Sequence, residues 1–166
     1  MSTAGTTIAY LREHALRLTT AESCTAGMIV TLLSEIEGSG ALIESGYVVY
    51  SPEAKQRLLR VSPRIIKAFG LTSCEVARDM ALGALHDSTA NVALATTGLL
   101  GPDDVDGIPA GTICFAWAFQ TAQGQSVFTR RLRFIGSRCE VQRMAAEHAL
   151  RSLADFHHRA LVGERS

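Results

Sequence analysis

The chain has 166 residues, 47% hydrophobic and 19% charged, which suits one globular domain over residues 1–166 whose core needs no disulfide or metal. Its formal net charge is zero, so it carries no electrostatic footprint for nucleic acid or for an anionic membrane surface. No apolar run reaches the length of a membrane span, Arg12, Glu13 and Arg17 interrupt any leader-like start, and Cys24, Cys74, Cys114 and Cys139 lack CxxC spacing, so reduced thiols in a cytoplasm are expected.

Residues 5–17 read as an amphipathic helix with Ile8, Leu11, Ala15 and Leu16 on its apolar face. Leu18 to Ala21 is a short extended piece leading to a second helix at about 24–35, with Ser23 as its expected N-cap. Gly38-Ser39-Gly40 marks a loop, and residues 42–50 are rich in β-formers and read as a strand. Ser51-Pro52 opens a short helix, and Ser62-Pro63 repeats the device for residues 63–69. Thr72 to Glu75 reads as a capping box for a helix at about 73–88. Asn91 to Thr97 is an apolar strand suited to burial on both faces. A Gly/Pro/Asp loop covers 98–110, and two strands, 111–120 and 125–134, form a hairpin around Gln123-Gly124. Ser137 to Glu140 is a capping box for a last helix at about 137–159. The pattern predicts an α/β fold of three layers, α/β/α, with a mixed sheet flanked by helices.

Ser23 at a strand-to-helix junction suits either a plain cap, the commoner occupant, or a nucleophile whose product is an oxyanion. A serine needs a base. The five histidines all fall in helices away from the loops that follow strands, whereas Lys55 shares a helical face with Leu58 and Leu59. The chain holds fourteen Arg but two Lys, Lys55 and Lys67, and only a lysine releases its proton readily when desolvated. A lysine stem lying over apolar surface with its head in water is the plainer alternative. Tyr50, just before that helix, could orient Lys55 or donate to a substrate oxygen, or be a half-buried strand aromatic. Thr97 ends an apolar strand beside Gly98, where α/β sheets often open a crevice, and Arg138 behind the Ser137 cap suits a phosphate or carboxylate. Cys24 is a possible thiol nucleophile or a small buried residue. Asp103, Asp104 and Asp106 look like part of a calcium loop, but position 114 is Cys where the closing Glu would stand, so the segment reads as a solvated loop.

Several segments carry a resemblance over about residues 7–155. They are Thr20-Ala21-Glu22-Ser23-Cys24-Thr25-Ala26-Gly27, Tyr50-Ser51-Pro52-Glu53-Ala54-Lys55, Val76-Ala77-Arg78 with Met80-Ala81-Leu82-Gly83-Ala84-Leu85, Thr97-Gly98-Leu99-Leu100-Gly101-Pro102, Gly111-Thr112 and Gly136-Ser137-Arg138. In this order they resemble the CinA C-terminal-domain family, the nicotinamide-nucleotide amidases, in its stand-alone form. The resemblance implies hydrolysis of the carboxamide of nicotinamide mononucleotide to nicotinic acid mononucleotide and ammonia, without metal or other cofactor. It implies Ser23 as nucleophile, Lys55 as base and Tyr50 as helper, with Thr97, Arg138, Thr25 and Gly98 binding substrate. The implied partner is a small pyridine nucleotide, not nucleic acid or membrane, and the chain is expected to be a homo-oligomer. Three positions depart from the family pattern. Ala26 stands for a second Gly, the 103–109 loop is acidic and lacks a Lys-Pro, and Ser137 stands for an Asp. A catalytically weak or inactive nucleotide-binding member is therefore the alternative.

Overall fold

In a computed structural model that describes residues 1–165, five strands form one sheet in the order β2-β1-β3-β4-β5. The strands are β1 (Leu18–Glu22), β2 (Ile43–Val48), β3 (Val92–Gly98), β4 (Thr112–Thr121) and β5 (Gly124–Arg133). β1 runs parallel to both β2 and β3, while β3, β4 and β5 pair antiparallel. Helices α1 (Thr3–Glu13), α2 (Met28–Ser34), α6 (Arg138–Arg151) and α7 (Leu153–Leu161) supply the core of one face. Helices α3 (Pro52–Leu59), α4 (Pro63–Phe69) and α5 (Cys74–His86) cover the other. This is the three-layer mixed-sheet arrangement that the sequence implies. No helix among the described residues is long and apolar enough to cross a membrane.

β4 explains how the layers differ. Ile113, Phe115, Trp117 and Phe119 alternate with Cys114, Ala116 and Ala118, and all are buried. Successive strand residues point to opposite faces. The large ones therefore fill the core under α6 and α7, and the small ones let α5 lie close on the other face.

Several helix boundaries differ from expectation. α1 starts at Thr3, with Ser2 accepting from Gly5 N–H, and stops before Ala15, whose φ of 52° is left-handed. The N-cap of α5 is Ser73, not Thr72. Ser73 Oγ accepts from Val76 N–H at 3.2 Å, so Glu75 is one position too early for a reciprocal box. The capping box at Ser137 and Glu140 is complete in both directions. The helix it opens is not continuous to 159 but divides at Ser152. There, the Ala149 carbonyl accepts from Trp117 Nε1 at 2.8 Å, so a core side chain draws on a carbonyl in the last turn of α6.

Candidate active site

The chain leaves β1 through α2 on one face of the sheet to reach β2. It returns through α3, α4 and α5 on the other face to reach β3. Connections that depart to opposite faces leave a crevice at the carboxyl ends of the strands between them. A crevice of 390 Å³ lies there. Its walls come from Ser23 and Cys24 after β1, from Tyr50 and Lys55, from Leu71 and Thr72 before α5, from Thr97 to Asp103 with Val105, and from Arg138.

Ser23 is not the cap of α2. Its N–H donates to the Thr96 carbonyl at 3.0 Å, extending the β1–β3 pairing by one residue. Ala26 and Gly27 then take left-handed φ values of 52° and 91°, so the helix cannot begin before Met28. Gly adopts that backbone freely and Ala26 only at an energetic cost, which is why glycine suits position 26. The α2 start is capped instead by Glu22, whose carboxylate accepts from Ile29 N–H at 2.9 Å and from Val30 N–H at 3.4 Å. The oxyanion donors expected from the α2 start are thereby occupied. The N–H groups of Cys24 and Thr25 have no acceptor among the described residues and are the free donors beside Ser23.

Lys55 is 1% exposed, the largest buried polar side chain, and lies in the first turn and a half of α3. Ser51 caps that helix and Pro52 sets its first residue, so the turn is fixed locally. The helix is pressed onto α5 at Gly83. A Cβ there would stand 1.8 Å from the Leu59 carbonyl oxygen, so only glycine permits the approach. Lys55 Nζ donates to Ser23 Oγ at 3.0 Å, to the Tyr50 carbonyl at 2.9 Å and to the Val49 carbonyl at 3.3 Å. No carboxylate pairs with it among the described residues. Burial holds its pKa below the ordinary lysine value, and a thiolate at Cys24 would act weakly the other way. A neutral amine has two N–H groups and one lone pair. With the two carbonyls taking the N–H groups, the lone pair faces the serine hydroxyl.

The other predicted residues divide. Thr97 and Gly98 line the crevice, but Thr97 is 2% exposed and its hydroxyl donates to the Leu71 carbonyl at 2.9 Å. A Cβ on Gly98 would lie 2.4 Å from the Thr112 carbonyl oxygen, so that glycine serves the β3–β4 contact as well. Arg138 lines the crevice and one of its guanidinium N–H groups bonds the Gly101 carbonyl. Tyr50 stands past the end of β2, 61% exposed at the mouth. It meets Lys55 through its main-chain carbonyl, not through its hydroxyl. Thr25 is outside the lining. It is 1% exposed, donating to Glu22 at 2.6 Å and sharing a 2.7 Å hydrogen bond with Thr96, so a substrate contact gives way to an internal one. Cys24 is also buried, and burial pushes its thiol up to about 12, which disfavours the thiolate a cysteine nucleophile needs.

Asp103, Asp104 and Asp106 are exposed, and Asp104 accepts from Ala110 N–H at 2.8 Å, which ties the loop. Among the described residues no three His, Cys, Asp or Glu side chains are grouped as metal ligands. Sequence reasoning does not single out Glu22 or Gly83 for a role at the site, and it reads Thr72 only as a cap. Glu22 carried a usable signal, since a glutamate closing an otherwise buried strand must find donors inside the protein.

Comparison with known proteins gives one consistent result. The family model for the CinA C-terminal domain matches residues 2–157. The nicotinamide-nucleotide amidohydrolase PncC of Escherichia coli K12 is 40% identical over 144 residues, covering 86% of this chain and 86% of that protein. A CinA-like protein of Chlorobium luteolum is 43% identical over 150 residues, covering 89% of this chain but 35% of its own length. The chain thus spans about a third of the CinA-like relatives from Chlorobium. Among solved structures, the competence/damage-inducible protein CihA of Agrobacterium tumefaciens superposes with a TM-score of 0.86 at 34% identity, each chain 93% covered. A CinA superfamily protein of Escherichia coli gives 0.87 at 33% identity, covering 93% of this chain and 88% of that one. The chain belongs to the CinA C-terminal domain family.

Proposed function

We propose that this chain is a nicotinamide-nucleotide amidase that converts the carboxamide of nicotinamide mononucleotide to a carboxylate and ammonia. The observation that carries the reading is the 3.0 Å hydrogen bond between Lys55 Nζ and Ser23 Oγ inside the crevice. Relatives bearing the amidohydrolase name support the substrate class. In this reading the neutral Lys55 amine takes the Ser23 proton as Oγ attacks the amide carbon. The carbonyl oxygen becomes an oxyanion held by the free N–H group of Cys24, which lines the crevice. The Lys55 ammonium then gives its proton to the departing nitrogen, and ammonia leaves. Water, deprotonated by the same amine, cleaves the acyl ester and regenerates Ser23. Thr97 and Gly98 form the wall against which the ring lies, and the Tyr50 ring closes the mouth. Arg138 has N–H groups beyond the one on Gly101, and these take the nucleotide phosphate. A homo-oligomeric, cytoplasmic protein is part of the same reading, and sedimentation measures the oligomer directly.

The test is incubation with nicotinamide mononucleotide while ammonia is measured. Release that is lost in Ser23→Ala and Lys55→Ala but kept in Cys24→Ala is the expected result. Nucleotide binding without ammonia release would make the chain an inactive binding member. Loss in Cys24→Ala alone would replace the serine by the thiol.

A further inference from the structure

Glu22 is the only carboxylate fully buried among the described residues, and it adjoins Ser23 in the chain. Its Oε1 accepts from Thr25 Oγ1 at 2.6 Å and from Ile29 N–H at 2.9 Å. Its Oε2 accepts from Thr20 Oγ1 at 3.3 Å and from Val30 N–H at 3.4 Å. A carboxylate has about four lone-pair sites, and all are used. Because the Thr25 proton goes to Glu22, Thr96 is the donor in the 2.7 Å bond between the two threonine hydroxyls. The carbonyl of the same Thr96 accepts the Ser23 N–H at 3.0 Å. Ser23 therefore sits in a closed ring that runs from its own N–H to Thr96, Thr25, Glu22 and back along the chain.

The ring has a chemical consequence. Glu22 draws off the N–H groups at the start of α2 and holds the reversal through Ala26 and Gly27. The N–H groups of Cys24 and Thr25 are left without acceptors, and of the two residues Cys24 lines the crevice. We infer that Glu22, acting through Thr25 and Thr96, is a positioning residue that aims Ser23 Oγ at Lys55 and keeps the Cys24 N–H group open for the oxyanion. The inference rests on Ser23 being the nucleophile. It assigns Glu22 no contact with substrate, because Glu22 does not line the crevice and its carboxylate is taken up by four internal donors.

Thr25→Val removes the link at constant shape, Thr25→Ser preserves it, and Glu22→Gln sets an amide donor against backbone donors. For each variant, kcat, KM and melting temperature are measured on the amide. The rate at which a fluorophosphonate probe labels Ser23 is followed separately by intact mass. Misplacing a reacting group by about 1 Å costs up to about a hundredfold, so kcat in Thr25→Val and Glu22→Gln is expected to fall between about tenfold and a hundredfold. KM is expected to be unchanged, probe labelling to slow in parallel, and Thr25→Ser, which keeps the hydroxyl, to lose less kcat than Thr25→Val. Variants that melt earlier but keep the parent kcat when folded would reduce the ring to a fold support and overturn the inference. If Glu22→Gln fails to fold, the Thr25 pair decides. Should the parent label at Ser23 yet release no ammonia, the substrate reading falls and the labelling rates alone judge the ring. A parent that does neither overturns both.

Discussion

Helices α3 and α4 begin with the same Ser-Pro device and are eight and seven residues long, and each carries one of the chain's two lysines. Their outcomes differ. α3 buries Lys55 and Leu59, while α4 buries nothing fully and leaves Lys67 exposed. Ser51 Oγ accepts from Ala54 N–H at 3.0 Å; Ser62 makes no side-chain cap bond, and its own N–H is taken by Asp79 at 3.0 Å. The local signal starts a helix in both places. What α3 receives in addition comes from α5, where Gly83 lets its backbone dock, and from the end of β1, which brings Ser23 to Nζ. A lysine becomes a base through what surrounds it, and the helix that carries it only sets the angle.

The strongest way to break the contrast is to remove each lysine. General-base catalysis contributes about 10²–10⁴-fold, so Lys55→Ala is expected to lower kcat by that order while Lys67→Ala leaves it unchanged. Equal effects, read from ammonia release, would mean that burial of Lys55 has no catalytic meaning. The next variant attacks the docking. Gly83→Ala puts a methyl group into the Leu59 carbonyl, and overpacking of this kind costs about 1–3 kcal/mol. The expected result is a lower melting temperature together with a kcat loss, because α3 cannot shift without carrying Lys55 away from Ser23. A melting loss with kcat intact would uncouple the helix position from the chemistry.

A pH series sharpens the same point. Desolvation lowers the Lys55 pKa from its ordinary 10.5, and in the proposed mechanism the amine must be neutral to act. kcat is therefore expected to rise with pH to a plateau whose midpoint lies below 10.5. Stability carries the same sign. Between the lowered folded value and the ordinary one, the unfolded chain binds more protons than the folded chain, so stability rises with pH through that window. Lys55→Met should abolish this part of the slope, whereas Lys67→Met should not. An activity that falls across the window would require the ammonium, and would overturn the base assignment.

Much of this was legible before the fold. Ser23 and Lys55 are candidates by position, each with a plainer reading as a cap and as a stem over apolar surface, and the ordered motifs single them out, while the hairpin around Gln123-Gly124 follows from its turn residues. What escaped reading was set by contacts distant in sequence. Ser23 looks like a cap because caps are local, yet Thr96 claims its N–H from 73 residues away and Glu22 takes the helix start. The resemblance implies Thr25 as a substrate ligand, whereas its hydroxyl is set against Thr96 and Glu22. The break at Ser152 falls where Trp117 bonds the Ala149 carbonyl, a contact that no periodicity around 152 could announce. Cys24 and Lys55 show why burial has to be read with chemistry. The same desolvation that frees the amine of its proton holds the thiol to its own, so one crevice wall makes a better base and a poorer nucleophile.

The smallest effect tests the shared device itself. Ser51→Ala removes a cap bond and is expected to cost about 1 kcal/mol of stability, whereas Ser62→Ala, with no side-chain bond to lose, should stay within about 0.5 kcal/mol. Because Ser51 also begins the turn whose neighbour Tyr50 presents a carbonyl to Lys55, its loss should lower kcat slightly as well as the melting temperature. Ser62 has no such neighbour, and its variant should leave kcat alone. If both variants proved equally mild in thermal melts and in turnover, the cap at α3 would be incidental, and the placement of Lys55 would rest on Gly83 and the two carbonyls by themselves.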